Sequence, residues 1–223
     1  MTIPVLIIPV LNRFDLLENT LDSIDYPIDE VLVINNSGDD NNTLNIRNNR
    51  YENFVLKVLD LPSNMGISGS WNLGIKLYPH KPWWLIGSAD TAFLPGSLQK
   101  FDEYSSSERM IFSEKHYSAF SLGEDIVKTV GLFDEFIYPA YYEDNDYTDR
   151  VKAAGREASM VSAYIPVNDN GGSQTIKSDE KLAEQNHVTF VANGEYYNNK
   201  PKSGSCSCCN WNLERRRKNE WVL

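Results

Sequence analysis

Hydrophobic and polar positions fall into alternating blocks along this chain, and the blocks predict its elements. PVLIIPV over residues 4–10 is a continuous apolar run rich in β-branched residues. Such a run predicts a strand covered on both faces, as in a parallel sheet. After Asn12, Phe14, Leu17, Leu21 and Ile24 recur at helical spacing, with Asp15 and Glu18 in the early turns where the helix dipole favours acids. This helix is expected to end before Tyr26-Pro27. Residues 30–36 read as a second buried strand that stops in the polar cluster 35–40, a weaker helix lies around 43–49, and Phe54 to Leu59 supplies a third strand. The order is βαβαβ. Because such crossovers are right-handed, it predicts a doubly wound sheet.

Residues 64–74 (NMGISGSWNLG) carry glycines that suit either a backbone passing close to a ligand or a plain turn, ahead of a helix over 70–77. Trp83 to Ile86 is a fourth buried strand, broken abruptly by Gly87, Ser88, Ala89 and Asp90. Pro95-Gly96 opens a helix over 97–104. Ile111-Phe112 and 119–122 read as short strands of mixed direction, and 123–130 as a helix. A second polar concentration over 138–150 leads into an amphipathic helix that runs to Ala154 and closes on Gly155. Beyond it, 158–167 predicts a strand, 168–173 a flexible loop, and Asp179 to about Tyr197 a helix.

At 223 residues the chain suits one sizeable domain that needs no disulfide or metal staple. A formal charge of -10 argues against a nucleic-acid partner gripped by a broad basic face. A negatively charged substrate would instead need a divalent cation, helix N-termini or a few placed basic side chains. No apolar run reaches the length of a membrane span and the first residues lack a basic leader, so a cytoplasmic protein is expected. Cys206, Cys208 and Cys209 read as free thiols in a tail. The Arg215 to Lys218 run reads as a solvated helix end, or as a weak contact with a membrane surface or acidic partner.

Two acidic spots carry the candidate chemistry. Asp90 sits just past a strand end, where open α/β sheets collect ligands, and suits either turn capping or holding a metal or phosphate group. Glu143, Asp144 and Asp146 open a helix whose dipole accounts for one or two of them, but not for three acids and two tyrosines beside a proline-bearing loop. Crowded carboxylates raise at least one pKa by mutual repulsion, which is one way to make a general base.

In their order and spacing, residues 8–13 (IPVLNR), 33–39 (VINNSGD), 64–72, 88–90 (SAD), and 131–135 (GLFDE) with 142–150 (YEDNDYTDR) resemble the inverting glycosyltransferases of family 2. The likeness spans about residues 3–173. It implies the GT-A fold, an α/β class with a single Rossmann-like doubly wound mixed sheet and helices on both faces. A domain over 1–197 would divide into a nucleotide-binding half, about 1–98, and an acceptor and catalytic half, about 99–197, with a tail over 198–223.

The resemblance also implies roles. Pro9 and Asn12 would line the base and ribose pocket with Arg13 beside them, and Asn35, Asn36 and Asp39 would face the nucleotide. Asn64 and Gly66 would lie against the nucleoside, and Asn72 near the donor sugar or diphosphate. Ser88-Ala-Asp90 stands at the family's Asp-x-Asp metal motif, so Asp90 would hold Mn²⁺ or Mg²⁺ although Ser88 replaces the first acid. Asp169, ahead of a Gly-Gly-Ser run, is the expected second ligand. Glu143-Asp144 matches the catalytic acid pair: Asp144 would be the base, Glu143 would hydrogen-bond an acceptor hydroxyl, and Asp146 would pair with Arg150 at i, i+4. The implied activity moves a sugar from a nucleotide-sugar, UDP-linked by expectation, to a glycan or other hydroxyl acceptor.

Other readings fit less of the chain. A nucleotidyltransferase would want a glycine-rich loop with a basic residue directly after strand one, and a dinucleotide-dependent oxidoreductase would want Gly-x-Gly-x-x-Gly there. Residues 9–13 contain no glycine. A non-catalytic nucleotide-sugar or glycan-binding protein of the same fold is favoured by Ser88 and disfavoured by Glu143 and Asp144. Little sequence follows Ser173 to build an acceptor site, which suggests a small acceptor or a site completed by a partner.

Overall fold

The computed structural model describes residues 2–49, 51–171 and 173–201. In chain order the elements are β1 (Leu6–Val10), α1 (Phe14–Asp22), β2 (Ile28–Asn35), a 3-10 turn (Asp40–Thr43), α2 (Leu44–Asn48), β3 (Phe54–Asp60) and α3 (Gly66–Leu77). Then come β4 (Trp83–Gly87), β5 (Ala92–Phe93), α4 (Ser97–Tyr104), β6 (Met110–Ser113), β7 (His116–Gly123), α5 (Glu124–Val130) and α6 (Glu143–Ala153). A 3-10 turn (Glu157–Ser159), β8 (Met160–Ile165), β9 (Val167–Asn168), α7 (Gln174–Lys177) and α8 (Glu180–Asn199) complete the described chain.

The main sheet runs β3-β2-β1-β4-β7-β6-β8, and β5 pairs separately with β9. From β3 to β4 the pairings are parallel; β7 enters antiparallel to β4 and to β6, while β8 lies parallel to β6. This is the doubly wound mixed sheet that the sequence predicts. Every residue of β1 and β4 is buried, as their unbroken apolar runs require. Successive side chains point to opposite faces. Leu6, Ile8 and Val10 therefore meet Leu17 and Leu21 of α1 and Leu98 and Phe101 of α4, while Ile7 meets Trp71 and Ile75 of α3 on the other face, beside Tyr147 and Val151 of α6. Helix α3 lies so close to β1 that a Cβ on Gly74 would stand 2.6 Å from the Ile7 side chain.

Several details differ from the sequence reading. Helix α3 begins at Gly66 rather than residue 70, because Asn64 Oδ1 accepts the Gly66 N–H at 2.8 Å and the Ser70 hydroxyl bonds back to the Gly66 carbonyl. The strand expected over 158–167 is interrupted: Pro166, which lacks an N–H, separates β8 from β9, and β9 turns away to pair with β5. The two-residue β5 and four-residue α7 are too short to leave a periodic signal. Helix α8 continues past the expected boundary at 197 to Asn199. The tail cysteines and the Arg215 to Lys218 run lie outside the described residues. Among those described, no helix is long and apolar enough to cross a membrane.

Candidate active site

From β1 the chain winds outward through β2 and β3, then returns to place β4 on the other side of β1. Such a reversal opens a crevice past the carboxyl ends of the two central strands. A cleft of about 790 Å³ lies there. Pro9, Asn12 and Arg13 reach it from the end of β1, Asn36 from the end of β2, Asn64 and Gly66 from the start of α3, and Ser88 and Asp90 from the end of β4. Glu143 and Asp144 enter from the first turn of α6, so the two acidic spots, more than fifty residues apart in sequence, line one hollow.

On the β1–β4 side, most polar groups are already oriented by neighbours. Buried Asn36 accepts the Met65 N–H at 2.9 Å and donates to Ser70 Oγ at 3.0 Å, which fixes the start of α3 against β2. Asn12 donates to the Thr175 carbonyl at 2.9 Å, drawing α7 over the cleft. Its Oδ1 is buried with no hydrogen-bond partner among the described residues. Burial pushes the Asp90 carboxyl above its ordinary pKa, and the nearby Asp169 charge adds to this; the Gln174 N–H at 3.3 Å and the Arg13 charge oppose it.

Gly66 joins this side to the acids. Its φ of +74° is left-handed, and a Cβ there would lie 2.8 Å from both the Pro139 carbonyl oxygen and the Tyr138 ring. Ile67 N–H also donates to the Pro139 carbonyl at 2.8 Å. The segment 138–142 is thereby seated on the N-terminus of α3. Tyr141 and Tyr142 then adopt φ of 72° and 78°, a conformation that costs non-glycine residues energy and persists only when the surroundings impose it. Helix α8 is what imposes it here. Asn193 donates to the Ala140 carbonyl at 2.9 Å and accepts the Tyr138 N–H at 3.3 Å, while the Phe190 ring packs 5.5 Å from Tyr141 and 5.1 Å from Tyr142.

The strained pair delivers Glu143 into the cleft. Burial lifts its pKa from the ordinary 4.5 to about 7, helped by the Asp144 charge and opposed by backbone N–H groups. Although the residue is half-buried overall, its Oε2 is sealed and has no hydrogen-bond partner among the described residues. Asp146 faces the other way. It takes Arg150 Nε at 2.9 Å and Lys200 Nζ at 2.7 Å, and Lys200 also reaches Asp134 at 2.5 Å. The Asp146–Arg150 pair agrees with its i, i+4 spacing, and this buried network anchors α6 from below.

Four expected site residues do not line the cleft. Asn72, on α3, is buried against the segment before α6, donating to the Phe133 carbonyl at 2.9 Å and Glu135 at 2.8 Å and accepting the Phe133 N–H. Asn35 donates to the Asp39 carbonyl and to Asp60, both at 2.9 Å, and so shapes the turn after β2. Asp39 caps the following 3-10 turn through the Asn41 N–H. Asp169 turns its carboxylate onto the Gly171 N–H at 3.1 Å.

Other lining residues went unnoticed in the sequence. Lys115, His116 and Tyr117 come from the tight β6–β7 turn, and Leu182, Gln185, Asn186 and Thr189 form one stripe of α8. Contrary to the expectation of a site starved of sequence beyond Ser173, α7 and α8 build one of its walls. The helical pattern from Asp179 to about Tyr197 was visible, but nothing in it marks which face meets the cleft.

Among the described residues, no three or more His, Cys, Asp or Glu side chains cluster to hold a metal ion. Asp90 offers one carboxylate with the Ser88 hydroxyl two residues away, both on the cleft. That donor set suits a Mg²⁺-like cation that takes one or two protein carboxylates and fills its remaining positions with substrate phosphate and water.

Comparison with known proteins agrees with the fold. The profile of Glycosyl transferase family 2 matches residues 5–113. S. aureus TarS in complex with UDP superposes with a TM-score of 0.55 at 14% identity, over 68% of this chain and 55% of that one. TarS in complex with UDP-GlcNAc gives 0.54 at 15% identity, over 69% and 54%. This chain thus spans about half the length of those two structures. A 4-diphosphocytidyl-2C-methyl-D-erythritolsynthase from Anaerococcus prevotii DSM 20548 gives 0.50 at 13% identity, over 84% and 96%. Such likenesses establish the scaffold and leave the chemistry to the site. Among curated proteins, none matches the chain by sequence. With the profile match over β1 to β6 and the mixed sheet in hand, residues 5–113 carry the profile of a family 2 glycosyltransferase on a sheet of GT-A fold.

Proposed function

We propose that this domain transfers a sugar from a nucleoside-diphosphate sugar, with UDP as the expected nucleotide, to an acceptor hydroxyl with inversion at the anomeric carbon. The observation that carries the reading is the shared cleft, with Asp90 at the strand ends and Glu143 and Asp144 on the opposing helix. UDP and UDP-GlcNAc in the TarS complexes support the choice of donor.

In this reading the nucleoside lies along Pro9, Asn12, Asn64 and Gly66, and the unpartnered Asn12 Oδ1 awaits a donor from the base or ribose. The diphosphate lies towards Asp90 and Arg13. A divalent cation held by Asp90 would supply Lewis-acid neutralisation of the leaving diphosphate, a service this acidic chain cannot readily provide from its own surface. Asp144 takes the proton of the acceptor hydroxyl as that oxygen bonds to the anomeric carbon. On the opposite face the carbon–oxygen bond to the diphosphate breaks, its electron pair leaving with the phosphate. Glu143, half-protonated near pH 7, donates to or accepts from an acceptor hydroxyl and lessens the repulsion at Asp144.

Ser88, standing where the family has an acid, supports a second reading as a nucleotide-sugar or glycan-binding protein. Screening UDP-, GDP- and dTDP-sugars for nucleotide release, with and without Mn²⁺, separates the two. Transfer predicts release by the wild type and its loss by about 10²–10⁴-fold in Asp144→Asn, with donor affinity kept. Donor binding without release favours the binding protein, and full activity of the variant removes Asp144 as base.

A further inference from the structure

Buried polar side-chain atoms without partners are uncommon in folded proteins, and each one calls for an explanation. Three such oxygens in this chain, Asn12 Oδ1, Glu143 Oε2 and Asn186 Oδ1, find no hydrogen-bond partner among the described residues and belong to residues lining the same cleft. The first lies at the proposed nucleoside pocket and the second on the acid pair. Asn186 has no role in either.

Its position argues against a core defect. Asn186 lies mid-helix in α8, where asparagine is a mediocre helix former, on the stripe with Leu182, Gln185 and Thr189 that faces the cleft. One turn further along, Phe190 packs on Tyr141 and Tyr142, the residues immediately before Glu143. Helix α8 therefore carries Asn186 on the wall next to the N-terminus of α6. A sealed amide oxygen can only accept, so the group that completes it must bring an O–H or N–H.

We infer that Asn186 recognises the acceptor, its Oδ1 accepting from a second hydroxyl of a polyhydroxylated molecule while Glu143 and Asp144 address the hydroxyl that reacts. The inference rests on the glycosyl-transfer reading and narrows its acceptor to a compound with at least two hydroxyls, such as a sugar. Asn186 determines acceptor specificity; it takes no part in bond making.

The test uses the full chain, a UDP-sugar that the wild type turns over, methyl hexopyranosides as polyhydroxyl acceptors, and cyclohexanol as a single-hydroxyl control. Asn186→Leu should raise the KM for the glycosides about tenfold, with the donor KM within about twofold and the cyclohexanol rate unaltered. Asn186→Asp, which keeps an accepting oxygen, should stay within about threefold of the wild type. The inference is overturned if Asn186→Leu leaves the glycoside KM unchanged, if cyclohexanol loses as much, if Asn186→Asp behaves as the leucine variant, or if no glycoside accelerates nucleotide release by the wild type. Absence of release from every donor and acceptor removes the transferase reading itself, and the inference with it.

Discussion

Replacing Glu143 with Gln removes a charge that the fold holds at a cost while keeping the side chain's shape. Raising the carboxyl from 4.5 to about 7 corresponds, at about 1.4 kcal/mol per tenfold, to about 3 kcal/mol against the ionised form. Because the folded pKa is the higher one, the stabilising contribution is complete below about pH 4.5 and is lost as the pH rises through about 7. The glutamine variant has no such dependence. Its advantage over the wild type should therefore widen by about 2 kcal/mol between pH 5.5 and pH 8, less if water reaches the half-buried side chain. Both values lie above the isoelectric point near 4.8, where precipitation would interfere. Urea unfolding at the two pH values reads the effect as a shift in midpoint at constant m, and thermal unfolding reads it as about 4–8 °C. If the two proteins keep the same stability difference at both pH values, Glu143 is not the buried, unpartnered acid described above.

Other positions make separate predictions. Asp90→Ala should weaken Mn²⁺-dependent donor binding by about tenfold or more, the scale of one charge-assisted contact, and leave a residual affinity that a chelator no longer lowers; calorimetry with a UDP-sugar checks both. Lys200→Met removes the cation shared by the buried Asp134 and Asp146 carboxylates, leaving Asp146 to Arg150 and Asp134 to the Tyr196 hydroxyl and the Phe136 N–H, so urea unfolding should show a loss of about 1–3 kcal/mol, whereas an unchanged midpoint would mean that the network does not anchor α6. Gly66→Ala drives a Cβ into Pro139 and Tyr138 at a left-handed φ, and should cost about 1–3 kcal/mol together with donor affinity.

Elements came through the sequence more readily than the destinations of side chains. The apolar runs of β1, β2 and β4 announce strands buried on both faces, and crossover handedness leaves little choice in how β1 to β4 assemble. Helix α4 was legible to the residue because Pro95-Gly96 punctuates its start. Motif spacing likewise brought Asn12, Asn64, Asp90, Glu143 and Asp144 to the cleft. Residue type could not say that Asn72 would pair with Glu135, sixty-three positions later, or that Asn35 would close its own turn on Asp39. The first partner is set by the packing of α3 against the segment before α6, and the second by how the chain turns after β2. The α8 wall was hidden for a related reason: a polar stripe on a helix looks the same whether it meets water or a substrate cleft, and only Phe190 and Asn193, docked on segment 138–142, decide which.

The account stands most directly on where a donor molecule sits. A crystal structure of the protein with a non-hydrolysable UDP-sugar and Mn²⁺ should place the nucleoside along Asn12 and Gly66, the diphosphate at Asp90, and the anomeric carbon open towards Asp144 across the cleft. A donor bound elsewhere, or one whose sugar points away from the first turn of α6, would contradict it.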